Sequence, residues 1–200
     1  MIRELAKDRV KKIMERKGYK FFEKGNYNLN IIGVRSETKI ANSFDDTLFC
    51  IFKKDSKWIF NEYPITTDAG RYWLENPMNT KGTALLVPNQ YRGVYKLDKH
   101  KGQYTALCQR LGDLEVYRDN DRNMVLDYDP NTIEAGMFGI NIHRSNPNSE
   151  SSVVEKWSAG CQVFKKVKEF NEFIEDCKEA SNTWGNKFSY TLLTDKDLRI

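Results

Sequence analysis

Apolar residues recur at helical spacing at the start of the chain: Ile2, Leu5, Ala6, Val10, Ile13 and Met14 form one stripe among charged neighbours. The pattern predicts a helix over 2–17, and Gly18 is a stop signal for it. Residues 24–46 mix Asn, Gly and Ser with a short apolar run and read as a connecting arm with one strand. From Thr47 the period becomes that of strands. TLFCIF (47–52) and KWIFNEYPI (57–65) flank KKDS as a hairpin. GRYWL (70–74), TALLV (83–87), GVYKL (93–97), YTAL (104–107) and LEVYR (114–118) follow as strand-like runs between turn residues, the rhythm of a sandwich or a barrel. MFGINIH (137–143) reads as a strand ending at its histidine. After residue 161 helical spacing returns: Val167, Phe170, Phe173, Ile174 and Cys177 share a face, and Asn182 to Gly185 ends the helix. FSYTLL (188–193) is the last strand. The architecture is mainly β, with a helix near each end.

With 200 residues, 40% of them apolar, the chain can bury a core without staples. The net charge of +4 is uneven: residues 1–20 hold eight Lys/Arg against three acids, so the rest is close to neutral. Interspersed acids and the lack of an aromatic stacking pattern favour a solvated helix face over a nucleic-acid-binding arm. The reading divides the chain into a basic helix with connecting arm (1–46) and a mainly β domain (47–200). No apolar run approaches the roughly 18 residues of a transmembrane segment, and no secretory signal pattern opens the chain. Cys50, Cys108, Cys161 and Cys177 form no CxxC pair, so no metal site or redox motif is indicated.

The chain has two histidines. His100 lies in DKHKG, a charged turn-like stretch, and reads as a solvated surface imidazole. His143 ends an apolar run where a loop begins, a place where scaffolds present catalytic groups. Cys50, Cys108 and Cys177 sit in strand or helix patterns as small buried hydrophobes. Cys161 differs: Trp157-Ser158-Ala159-Gly160-Cys161-Gln162 is small and polar and precedes the C-terminal helix. A thiolate beside a glycine turn leaves room for a substrate carbonyl, and the N–H groups around Ala159, Gly160 and Cys161 suit an oxyanion. A helix N-terminus and an imidazole nearby would lower the thiol pKa.

His143, fourteen residues, then Ser158-Ala159-Gly160-Cys161 resembles the catalytic signature of the L,D-transpeptidase family, in which Ser/Thr-His-Gly-Cys follows a strand-end histidine after a similar gap. Thr67-Asp68-Ala69-Gly70-Arg71-Tyr72-Trp73-Leu74 resembles that family's Thr-Pro-x-Gly-x-Phe/Tyr-x-Ile segment. The resemblance spans roughly residues 47–200. It implies an L,D-transpeptidase-like β-sandwich with an N-terminal helix and a helix-strand ending, using no cofactor. It further implies that Cys161 is the nucleophile, that His143 is the base, and that the Ser158 carbonyl orients the imidazole. Gly160 and its neighbours would then form the oxyanion turn. The sequence departs from the pattern at Ala159, where the family has His, and at Val163, where it has a basic or amide residue.

The implied partners are peptidoglycan stem peptides, attacked at L-to-D peptide bonds. Without an export signal, the expected route is synthesis in a cytoplasm and delivery to the wall by phage lysis, a virion or a secretion system. That favours cleavage or exchange, with cross-linking and a catalytically idle wall-binding module as the alternatives. A last pattern, Asp119, Asp121, Asn123 and Asp127, is oxygen-rich like a calcium loop. The EF-hand needs Gly at its sixth position and Glu at its twelfth, where Met124 and Pro130 stand, so a hairpin turn is the reading.

Overall fold

The computed structural model of the protein describes residues 2–199, with side chains from Ala6 onward. The first helix, α1 (Ile2–Arg16), places Val10, Ile13 and Met14 in an apolar cluster with Ile32, Val34, Ile51, Phe60 and Leu193. These partners lie on the outward side of strands β1 (Asn30–Arg35), β2 (Asp46–Lys54), β3 (Lys57–Thr66) and β11 (Phe188–Thr194). Their neighbours Ile31, Leu48, Cys50, Phe52 and Leu192 belong instead to the main core. Alternation along each strand thus divides its residues between the core and the cluster under α1.

The expected sandwich is overturned. Eight strands form a closed barrel in the order β1, β11, β5 (Gln90–His100), β6 (Tyr104–Gln109), β9 (Ile142–Arg144), β10 (Gln162–Phe164), β3 and β2. Closure is made by β1, which comes from the segment read as a connecting arm. It pairs antiparallel with β2 and parallel with β11, in register Ile31 to Tyr190. Strand spacing alone suits a sandwich and a barrel equally; this long-range pairing decides between them. All six residues of NIIGVR are buried, as a strand covered on both faces requires.

A second sheet has the order β4 (Thr83–Leu86), β7 (Leu114–Asp119), β8 (Glu134–Gly136). GRYWL is not a strand: residues Arg71–Glu75 form the short helix α2, which buries Leu74. MFGINIH is a strand only from Ile142, because the preceding backbone amides bond to a side chain, as described below. The helix α3 (Val167–Trp184) sends Phe170, Phe173, Ile174, Cys177 and Ala180 into the main core, and β11 and the short α4 (Asp195–Leu198) follow it. No helix among the described residues is long and apolar enough to cross a membrane.

One polar network runs through the barrel wall. The Arg35 guanidinium, on β1, lies 2.9 Å from Asp68 and donates to the Leu86 carbonyl at 2.8 Å. Asp46 accepts from the Thr67 N–H at 2.6 Å and the Thr67 hydroxyl at 2.9 Å. These bonds fix the turn after β3, which leads to Gly70. The Gly70 N–H donates to the Ser158 carbonyl at 2.9 Å, and a Cβ at Gly70 would lie 2.0 Å from the Glu155 carbonyl oxygen. The two segments that carry the family resemblance are therefore packed backbone to backbone.

Candidate active site

β9 and β10 run parallel, with Ile142 opposite Gln162 and His143 opposite Val163. One residue earlier in that register, Cys161 falls beside Asn141. The Gln162 N–H donates to the Asn141 carbonyl at 2.9 Å, and the Asn141 N–H points to Cys161 Sγ at 3.4 Å. Side chains alternate along strands, so Asn141 and His143 share a face of the sheet. Cys161, His143 and His100 all line one cleft of about 640 Å³, together with Trp73, Phe138 and Trp157.

The turn before Cys161 is built by Ser158. Its hydroxyl accepts the Gly160 N–H at 3.1 Å and donates to the Cys161 carbonyl at 2.8 Å. Gly160 has φ +112°, and a Cβ there would meet the Ala84 carbonyl oxygen of β4 at 2.0 Å, so only glycine fits. Two expectations change here. The Ser158 carbonyl bonds Gly70 rather than the imidazole, and the Gly160 N–H is engaged by Ser158 rather than aimed into the cleft. The backbone amide that does face the sulfur belongs to Asn141, and Ala159 lines the cleft wall.

His143 is 3% exposed. Its Nδ1 lies 2.8 Å from the Arg144 carbonyl oxygen, an acceptor only, so Nδ1 carries the proton and Nε2 is the basic nitrogen. The Tyr104 hydroxyl lies 3.3 Å from both Nδ1 and that carbonyl. Burial, and next the neighbouring His100, hold the His143 pKa down at about 3, so the ring is neutral over the ordinary pH range. Burial likewise raises the Cys161 thiol above its usual range, against the Asn141 N–H, which favours thiolate. The helix N-terminus expected to lower it is displaced, because β10 separates Cys161 from α3. At rest the pair is therefore neutral thiol and neutral imidazole.

His100 is not a solvated surface residue. It ends β5, is buried, and stacks on His143 with ring centroids 4.1 Å apart and planes 24° apart. Asn141 Oδ1 accepts the Gln109 N–H at 2.9 Å, so Asn141 Nδ2 is the donor to His100 Nδ1 at 3.0 Å. His100 thus carries its proton on Nε2, and burial with nearby Lys101 holds its pKa at about 4. No family model matches the chain, and neither does any curated protein or solved structure.

Sequence reasoning missed Gln109 as well. Buried at the end of β6, its Oε1 accepts the N–H groups of Phe138, Gly139 and Ile140 at 3.0, 2.8 and 3.3 Å. Its Nε2 donates to Gly112 and Gly136 carbonyls. One amide side chain thereby shapes the loop, Phe138 to Ile140, that lines the cleft beside Cys161. Cys50, Cys108 and Cys177 are free and buried, while Cys161 is partly exposed. Among the described residues, those lining the cleft include Lys101, Arg110, Arg118 and Lys156 and no carboxylate.

Proposed function

We propose that the protein is a cysteine-dependent acyl-transfer enzyme acting at L-to-D peptide bonds of peptidoglycan stem peptides, with hydrolysis or exchange as its main outcome. The observation that carries the proposal is Cys161 Sγ facing a cleft it shares with His143, beneath the Asn141 N–H. Thiol attack on the substrate carbonyl sends the thiol proton to His143 Nε2 as the C–S bond forms. Asn141 N–H, positioned at the sulfur, stabilises the charge that develops beside it. The imidazolium then protonates the leaving amine as the C–N bond breaks. The resulting thioester passes to water or to a second amine. Burial keeps the imidazole neutral between turnovers, the form in which it can accept the thiol proton.

The substrate class rests on the resemblance of residues 143–161 and 67–74, and the basic lining adds support, since stem peptides carry carboxylates. The deciding experiment incubates wild type and Cys161→Ala with sacculi of several chemotypes and reads the muropeptides by mass spectrometry. Shortened stems from wild type alone are expected. New dimers would instead identify the alternative, a cross-linking transpeptidase. Full activity in Cys161→Ala would sink the nucleophile assignment. An unchanged muropeptide profile, with no preferential labelling of Cys161 by thiol reagents, would leave a wall-binding module.

A further inference from the structure

Outside the cleft, the end of β7 and the loop after it gather three carboxylates. One oxygen from each of Asp119, Asp121 and Asp127 lies within 4.8 Å of the other two. Asp119 is 1% exposed, and its Oδ2 accepts the Asp127 N–H at 3.0 Å. Its Oδ1 is also buried and has no hydrogen-bond partner among the described residues. A buried carboxylate oxygen without a donor, in a cluster of like charges, is a destabilising arrangement that a cation would relieve.

We propose that Asp119, Asp121 and Asp127 bind a divalent cation, and that calcium is the ion favoured. With one oxygen from each carboxylate within 4.8 Å of the others, a single ion with calcium–oxygen bonds of roughly 2.4 Å can reach all three. Magnesium requires a tighter, near-octahedral shell at about 2.0–2.1 Å, which a set drawn from one strand end and an irregular loop does not offer. Asp121 is exposed and Asp127 is half-buried, which leaves one side of the cluster open for water to complete the coordination. The site is not an EF-hand: its ligands bridge a strand terminus and a loop, with Met124 and Pro130 at the diagnostic positions.

The ion would join two parts of the molecule. Asp119 pairs with Thr83 of β4, the residue before the Ala84 whose carbonyl abuts Gly160. The loop is tied to the arm before β2, with the Leu126 N–H on the Lys39 carbonyl at 2.7 Å and the Ala41 N–H on the Met124 carbonyl at 3.0 Å. Calcium would clamp loop to sheet, and this holds whatever chemistry Cys161 performs.

The test is calorimetric titration of the chelator-treated full chain with CaCl2, in parallel with MgCl2, alongside thermal melts. Two variants are compared: Asp121→Ala, which removes an exposed ligand and leaves the core intact, and Asp119→Asn. Wild type should bind one Ca2+ per chain, with a higher Tm in CaCl2 and tighter binding than to Mg2+. Both variants should lose at least tenfold in affinity, with Asp121→Ala retaining the wild-type circular dichroism spectrum. No saturable Ca2+ binding up to roughly 10 mM, weaker than the weakest dedicated modules, would overturn the proposal. So would unchanged affinity in Asp121→Ala, or a preference for Mg2+.

Discussion

Cys161 and His143 rest as a neutral pair because burial disfavours both charged forms, and the stacked His100 further disfavours protonation of His143. Alkylation of Cys161 by iodoacetamide should therefore rise with pH along a curve whose midpoint lies above that of an ordinary thiol. A plateau of reactivity already at pH 5–6, the mark of a thiolate–imidazolium pair, would refute the neutral resting state. Cys161 and His143 were legible in the sequence because small polar neighbours and a strand end set them apart from the core pattern. Gln109 and His100 were not. What defines them is a partner far along the chain: Phe138, Gly139 and Ile140 for Gln109, Asn141 for His100. Charged neighbours made DKHKG look solvated. Lys101-Gly102 as a hairpin turn was the available signal, since it sets His100 opposite Tyr104 and so beside the cleft.

At the scale of elements, the Gly160 turn and β4 depend on each other through a backbone contact that admits no side chain. Gly160→Ala must move either β4 or the turn, and also strains a positive φ. Urea denaturation should show a loss of about 2 kcal/mol or more, with raised accessibility of Cys161 to bulky thiol reagents. Stability within about 0.5 kcal/mol of wild type would mean that the turn readily relaxes. Helices α1 and α3 and the β2–β3 hairpin were legible, because their apolar periods are long and their punctuation is clear. GRYWL misled because alternating Tyr72 and Leu74 mimic a strand, whereas the Asn76 and Leu74 amides close a helical turn on Tyr72 and Gly70. MFGINIH misled for another reason: Gln109 takes three of its amides, which no local pattern announces.

Across the whole molecule, buried titratable groups pull stability in opposite directions with pH. The unfolded imidazole titrates near roughly 6.5, while folded His143 does so at about 3. Between those values the unfolded chain binds more protons, so this contribution to stability is present above about 6.5 and lost as pH falls. Asp46 acts oppositely. Burial, with Asp68 close by, raises it to about 7, so the folded state holds the proton and stability falls as pH rises from about 4 to 7. Replacing His143 with Phe should remove its share of the first slope and leave that of His100, held at about 4. Relative to wild type, the variant should gain about 2–3 kcal/mol between pH 6.5 and 4.5, read from urea midpoints at each pH. An unchanged difference would show that His143 protonates freely in the folded state. Barrel closure through β1 and β11 also bears on how the chain is made. Synthesis proceeds from the N-terminus at about 5–20 residues per second, so Cys161 is polymerised before the strand that seals the cylinder. Until Tyr190 reaches Ile31, β1 and β5 each present a raw edge on which a neighbouring nascent chain can pair. A ribosome stalled short of residue 188 would therefore hold a thiol without its finished pocket and two strand edges open to aggregation.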